Sequence, residues 1–338
     1  MTAPGFIVRP LPHAELRKDP LVDRWVIIST ERAGRPIETP TAKMPSQIEY
    51  CPFCEGREAE TPDELFALRD PLTPIDGPGW RVRVVPNRYP AVRMREVPTM
   101  THANCQPGIG SHEVFVECPH HERNIAYFSI DGIAEVLESY QQRLAFWRAD
   151  GRLRYGQLFK NVGPSAGASL EHSHAQLIVL PLVPRDVQAE LDAVHRHHHE
   201  TGRCLLCDLM QQERRSGRFI LESSAFTVFA PFASRFSFES WIFPNRHHVH
   251  FDEMTSEERL DFAEVLRTML RRLDLLGQPD FNLVLHTAPF DHVDERDFHW
   301  HMEILPRMTQ AAGFEWGTGF AINPIPPEQA AEFFRHSS

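Results

Sequence analysis

Twice in its 338 residues this chain runs through one series: a Cys-x-x-Cys pair, an apolar stretch ending near proline and histidine, an amphipathic stretch, and a strand-like run bearing His-x-His. The first pass reads Cys51/Cys54, "EVFVECPHH", "DGIAEVLESYQQRLAFW" and "HSHAQLIVLP". The second reads Cys204/Cys207, "SWIFPNRHH", "TSEERLDFAEVLRTMLRRLDLLG" and "HWHMEILP". Val136, Leu137, Tyr140 and Leu144 recur at helical spacing, as do Leu266, Met269, Leu270 and Leu273. "TSEE" from Thr255 has the form of a capping box. The strand-like runs are apolar and β-branched enough to be buried. The pattern predicts an α+β fold, a tandem repeat of two halves (residues 1–190 and 191–338), each an antiparallel sheet with its long helix on one face. The junction falls near 185–203, where a polar, histidine-rich helical pattern sits.

Four of the six cysteines belong to the two Cys-x-x-Cys pairs. In a reducing compartment such pairs serve metal or redox chemistry rather than structural disulfides. A thioredoxin-like pair opens a helix in a βαβ setting. "CPFC" instead follows the polar "TAKMPSQIEY" and runs into the acidic "EGREAETPDE", which favours zinc. Tetrahedral zinc needs four ligands, so each pair has to recruit two more. Nineteen histidines are too many for spacing alone to decide among. "CPHH" at 118–121 and "NRHHVH" at 245–250 are better placed than "HRHHHE" at 195–200, which reads as a solvated helix terminus. Cys105 and Cys118 read as free thiols. A net charge of −11 argues against nucleic acid as a partner. No apolar run approaches a membrane span, and the start lacks the order of a signal peptide; together these point to a cytoplasmic protein.

On a strand, residues i, i+2 and i+4 share a face. His172, His174 and Gln176 therefore line one side, and so do His299, His301 and Glu303. A lone histidine would read as a satisfied core residue. Three aligned polar side chains beside "GPSAGAS" are hard to bury without function, because each needs its own partner. The loop offers backbone N–H groups and the hydroxyls of Ser165 and Ser169 to a phosphate. Its glycines let the backbone approach closely. A phosphate bed beside a histidine points to phosphoryl or nucleotidyl transfer through a covalent histidine intermediate. A zinc scaffold without activity would account for the cysteine pairs and the repeat, but not for the loop aligned with His174.

The spacing Asn161-x-Gly163-x3-Gly167-x-Ser169-x2-His172-x-His174-x-Gln176 resembles the active-site segment of the galactose-1-phosphate uridylyltransferase family, the transferase branch of the histidine-triad superfamily. "DPLVDRWVIISTERAGRP", "VVPNRYPAV", "VLHTAPF" and "CPFC" extend the resemblance over nearly the whole chain. It implies two histidine-triad-like halves, the first carrying the catalytic His-x-His and a zinc site. His174 would be the nucleophile, with Gln176 and Ser169 on the α-phosphoryl oxygens. Asn87, Asn161 and Gly167 would contact nucleotide or phosphate. Arg32 and Arg35 would complete the site from the neighbouring subunit of a homodimer. Cys51, Cys54, His121 and His172 would hold zinc. For the second half we expect a second zinc on Cys204, Cys207, His247 and His299, with His250 a rival to His247. In the family the second His-x-His can also join a metal site with a histidine like His286 and a carboxylate like Glu190.

The implied reaction is ping-pong: a nucleotide sugar leaves its nucleoside monophosphate on His174, and an acceptor phosphate removes it. UDP-glucose and galactose 1-phosphate are the expected pair, with adenylyl transfer to phosphate by an ADP-sugar phosphorylase the alternative. Gln176 stands where related hydrolases carry a third histidine, which favours transfer over hydrolysis. Three departures resemble the phosphorylase relatives: Asn87-Arg88-Tyr89 in place of Asn-Asp-Phe, "FEWGTGFAINP" near the C-terminus, and "HSH" in place of His-Pro-His.

Overall fold

A computed structural model describes residues 6–34, 50–94, 104–292, 294, 296 and 298–337. The chain opens with two short strands, β1 (Glu15–Lys18) and β2 (Trp25–Ile28). The first pass of the repeat gives β3 (Phe66–Arg69), β4 (Trp80–Pro86), β5 (Ser111–Val116), α1 (Ile130–Asp150), β6 (Tyr155–Val162) and β7 (His174–Leu180). Two helices follow, α2 (Arg185–Thr201) and α3 (Leu205–Arg214). The second pass gives β8 (Phe219–Glu222), β9 (Phe226–Phe229), β10 (Ser240–Pro244), α4 (Ser256–Asp274), β11 (Phe281–His286) and β12 (His301–Pro306). The chain closes with α5 (Gly313–Thr318), β13 (Ala321–Asn323) and α6 (Pro327–His336).

The two passes form one sheet rather than two. Its order is β3-β4-β5-β7-β6-β11-β12-β10-β9-β8, which reads as the same five-strand order met from both ends. The join is the antiparallel β6–β11 pair, with Asn282 opposite Asn161 and Val284 opposite Phe159. An exposed strand edge leaves unpaired N–H and C=O groups. Pairing the two inner edges removes that cost from both halves at once. We therefore describe 1–190 and 191–338 as proposed halves of a single α+β layer. A small sheet, β1-β2-β13, ties the start of the chain to its end.

Helices α1 and α4 lie on one face of the large sheet. Val136, Leu137, Tyr140 and Leu144 pack there in one core with Leu266, Met269, Leu270 and Leu273, as the helical spacing predicts. The α4 capping box forms: Thr255 accepts from the Glu258 N–H at 3.2 Å, and Glu258 accepts from the Thr255 N–H at 2.8 Å. On the opposite face the halves differ. Val187, Leu191 and Val194 of α2 and Leu206, Leu209 and Met210 of α3 form a second core against Phe229, Trp241 and Phe243. The polar end of α2 agrees with the solvated terminus expected at 195–200, since His195 and His199 are exposed. Over β4, β5 and β7 the corresponding face carries a cavity, lined among others by Val85, Val114 and Gln176. No described helix is long and apolar enough to cross a membrane.

Losing an N-cap side chain costs about 1 kcal/mol. Thr255→Ala should therefore lower unfolding stability by about that amount, read as a lower urea midpoint; an unchanged midpoint would count against the capping box.

Candidate active site and metal centres

The two histidines at the head of β7 divide their work by backbone geometry. His172 lies just before the strand and His174 is its first residue. His174 Nδ1 donates to the His172 carbonyl at 2.8 Å. The neutral ring then keeps its lone pair on Nε2, available to a substrate in the cavity beside it. Burial holds His174 below the usual histidine range, outweighing the hydrogen bond to His172. The ring is therefore neutral, as a nucleophile must be. Phe53 packs edge-on to it, with centroids 5.5 Å apart.

His172 turns the other way. Its Nε2 donates to the Cys118 carbonyl at 2.8 Å, which points the Nδ1 lone pair at the thiols of Cys51 (3.5 Å) and Cys54 (3.6 Å). His121 Nδ1 lies 3.8 Å from Cys54. A tetrahedral zinc, with Zn–S about 2.3 Å and Zn–N about 2.0 Å, spaces its sulfur and nitrogen donors about 3.5 Å apart. The four side chains fit such an ion in donor type, tautomer and separation. Without a cation the pair is costly to ionise: burial and the neighbouring Cys51 push the Cys54 thiol up to about 11.

A cavity of about 340 Å³ opens in front of His174. Gln176, Ser169 and Asn87 line it with Phe53, Arg88 and Tyr89. The glycine-rich loop is built differently from the phosphate cradle expected. The Ser165 N–H donates to the Asp280 carboxylate at 2.7 Å, and Asp280 also pairs with Arg123 at 2.9 Å. The chain's own carboxylate thus takes one of the loop's anion-binding donors. Gly163, at φ +83°, has to be glycine here, because a Cβ would fall 1.7 Å from that carboxylate. Asn161 does not line the cavity; its Oδ1 accepts from Asn282 at 2.7 Å, and its Nδ2 lies near Gly167. Arg32 sits on the exposed turn Thr30–Gly34, away from the cavity lining, and Arg35 lies outside the described residues.

The second half repeats this frame in a closed form. Cys204, Cys207, His247 and His299 converge, with Cys207 Sγ 3.2 Å from His247 Nδ1 and 3.4 Å from His299 Nδ1. Of the two rivals, His247 joins this cluster, while His250 is buried near Arg148 and His292 and takes no part in it. His301, the counterpart of His174, again donates Nδ1 to the carbonyl two residues back, at 3.4 Å. Its ring, however, is stacked between Phe243 (4.6 Å) and His286 (4.7 Å). Glu190, His286 and His301 form a third group able to face a metal. His286 already sits between two carboxylates, Glu190 at 3.1 Å and Glu303 at 3.4 Å, which hold its pKa up to about 10 against burial. Arg235 pairs with Glu303 and Glu239. This third group therefore balances its own charges.

Fold and site together define a nucleotidyltransferase of the histidine-triad type. The chain belongs to the galactose-1-phosphate uridyl transferase family: the profile of that family's N-terminal domain matches residues 9–184 and that of its C-terminal domain residues 190–332. Within the family it is similar to ADP-glucose phosphorylase of Arabidopsis thaliana, with 38% identity over 96% of this chain and 93% of that one. It is also similar to galactose-1-phosphate uridylyltransferase of Thermotoga maritima, with 29% identity over 96% of this chain and 98% of that one. Among solved structures, the Arabidopsis ADP-glucose phosphorylase with bound ADP-glucose superposes with a TM-score of 0.84 at 36% identity, over 96% of this chain and all (100%) of that one. A uridylyltransferase structure superposes with a TM-score of 0.75 at 29% identity, over 96% and 98%.

Behind His174, on the helix side of the sheet, lies a buried charge pair that the sequence did not single out. Lys160 Nζ donates to Glu117 (2.5 Å), to Ser173 Oγ (2.9 Å) and to the His174 carbonyl (3.1 Å). Tyr140 also donates to Glu117. The Ser of "HSH" thus belongs to this network, donating to Glu117 at 2.7 Å. Removing one member of such a pair strands the other charge, at a cost of about 3–5 kcal/mol. Lys160→Met should lose about that much stability in denaturant unfolding, and a loss below about 1 kcal/mol would contradict the pairing.

Proposed function

We propose that this chain is an ADP-sugar phosphorylase that works through an adenylyl-histidine. In the first step His174 Nε2 attacks the α-phosphorus of an ADP-hexose. The α,β P–O bond breaks, and hexose 1-phosphate leaves. In the second step an oxygen of inorganic phosphate attacks the same phosphorus, the P–N bond breaks, and ADP leaves. The observation that carries this reading is the His174 ring, fixed through Nδ1 and facing the cavity with its other nitrogen. The His172 carbonyl that accepts from Nδ1 also stabilises the positive ring of the adenylylated state. Gln176 and Ser169, both at the cavity wall, would hold the α-phosphoryl oxygens, and Asn87 the nucleotide.

The adenylyl reading takes the place of the uridylyl pair first expected. Identity to the Arabidopsis phosphorylase is 38%, against 29% to the Thermotoga uridylyltransferase. One of the three departures, the Asn87-Arg88-Tyr89 segment, also lies in the cavity wall, so Arg88 and Tyr89 fall where a nucleotide would be read. Asn161, near the end of β6, and Gly167, in the loop that follows it, lie outside the cavity lining, and in this reading they shape that loop rather than contact the substrate. Arg32, exposed and outside the lining of its own cavity, would with Arg35 serve the second copy of a homodimer.

We assign two zinc ions per chain. The first is held by Cys51, Cys54, His121 and His172, and the second by Cys204, Cys207, His247 and His299. Structural zinc of this kind contributes roughly 10–16 kcal/mol of apparent binding free energy, enough to order the loop that carries Cys51 and Cys54 and to anchor the start of α3, which carries Cys204 and Cys207.

Incubated separately with ADP-glucose, UDP-glucose and UDP-galactose and weighed intact, the protein should gain an AMP-sized mass from the first. His174→Ala should gain none. A UMP-sized gain instead would return the assignment to uridylyl transfer. Metal analysis should find two zinc ions per chain, both kept by His174→Ala and one lost by His172→Ala; full zinc in the latter would refute the ligand set. Because burial lowers the His174 pKa, protonation of the nucleophile has its midpoint below the ordinary value of 6.5. Single-turnover loading should accordingly be lost on acidification with a midpoint below pH 6.5. A midpoint between pH 7 and 8 would contradict a depressed pKa.

A further inference from the structure

Gln176 can serve a phosphoryl group only if its amide is turned the right way. Oxygen toward the cavity would repel the phosphoryl oxygens; nitrogen toward it donates to them. The hydrogen-bond network behind Gln176 decides between the two. The Ala91 N–H donates to His112 Nδ1 at 3.1 Å, so the neutral His112 ring carries its proton on Nε2. That Nε2–H lies 2.8 Å from Gln176 Oε1. Asn87 is fixed in the same way: the Tyr89 N–H donates to Asn87 Oδ1 at 2.8 Å, which turns Asn87 Nδ2 toward the pair, 3.1 Å from His112 Nε2 and 3.4 Å from Gln176 Oε1. Two donors whose own orientation is set by backbone N–H groups thus converge on one oxygen. The Gln176 NH2 is left to face the cavity.

We propose that His112 is a positioning residue, a latch whose Nε2–H holds the Gln176 carbonyl oxygen and so presents the amide N–H groups to the phosphoryl group transferred at His174. It reaches Gln176 diagonally across the β5–β7 pair, where Val114 is the residue directly opposite. Burial holds His112 below the usual histidine range and keeps the ring in the neutral form the latch requires. A protonated ring would set an N–H against the Ala91 N–H. This proposal rests on the reading of Gln176 as a phosphoryl-contacting residue.

The test is the single-turnover rate of AMP loading from ADP-glucose in four variants: His112→Phe, His112→Gln, Gln176→Ala, and His112→Phe with Gln176→Ala. Removing one preorganised donor costs about 100-fold or more in rate, and losing its orientation should cost about 10- to 100-fold. His112→Phe should show that loss with the ADP-glucose Kd within about 3-fold of the parent. His112→Gln places an amide N–H where the ring Nε2–H was and should recover loading to within about 5-fold. In the Gln176→Ala background His112→Phe should add less than about 2-fold, since residues acting as one unit are not additive. Equal losses in both backgrounds would overturn the latch. So would a His112→Gln variant that melts like the parent yet loads as slowly as His112→Phe, or a His112→Phe variant that loads normally. If Gln176→Ala alone loads at the parent rate, the reading of Gln176 fails, and that result is distinct from a failure confined to His112.

Discussion

The hydrogen bond from His174 Nδ1 to the His172 carbonyl, at 2.8 Å, governs the site. It links three requirements across two residues. It sets the tautomer of His174 and leaves Nε2 as the reactive nitrogen. It fixes the ring's direction by tying it to backbone rather than to a mobile side chain. It also makes the nucleophile depend on whatever anchors His172, whose own ring is turned to the Cys51 and Cys54 thiols by its Nε2–H bond to the Cys118 carbonyl. The first cysteine–histidine cluster and His174 are thus one rigid unit, held from behind by Lys160 on the His174 carbonyl. Preorganisation of this sort places the reacting nitrogen before substrate arrives.

The second half carries the same device and closes it off. His299 and His301 stand in the relation of His172 and His174, with the same Nδ1-to-carbonyl bond. The difference lies in what covers the sheet. Helices α2 and α3 pack over Trp241 and Phe243, and Glu190 of α2 binds His286. His301 is stacked between two rings and is fully buried, at 0% exposure, which leaves no room for a phosphoryl group. The counterpart of Gln176, Glu303, pairs with Arg235 instead of facing a cavity. One repeat unit therefore opens onto a cavity and the other is a buried support, and the β6–β11 seam joins them into a single sheet.

Much of this could be read in the sequence because it depends on local spacing. Helical periodicity placed the cores of α1 and α4, and two-residue spacing aimed His174 and Gln176 at one face. The Cys-x-x-Cys pairs and the histidines before each long helix marked residues that converge in both cysteine–histidine clusters. What the sequence hid depends on partners brought together by sheet register. His112 gains its role only from Gln176, 64 positions away. Lys160 and Glu117 meet across the sheet at a separation of 43. The loop at Gly163 reads as a plain phosphate bed until Asp280 is found against it. His247 and His250 were likewise inseparable by spacing, because both follow the same strand and only the folded turn selects one.

The covalent mechanism requires the adenylyl group to pass through the enzyme rather than directly between substrates. Isotope exchange tests this most directly. Labelled glucose 1-phosphate is incubated with ADP-glucose and enzyme in the complete absence of inorganic phosphate. A covalent adenylyl-histidine predicts label appearing in ADP-glucose under these conditions, since the first step reverses by itself. Label that enters only once phosphate is added, or not at all while net phosphorolysis proceeds, would contradict the covalent mechanism.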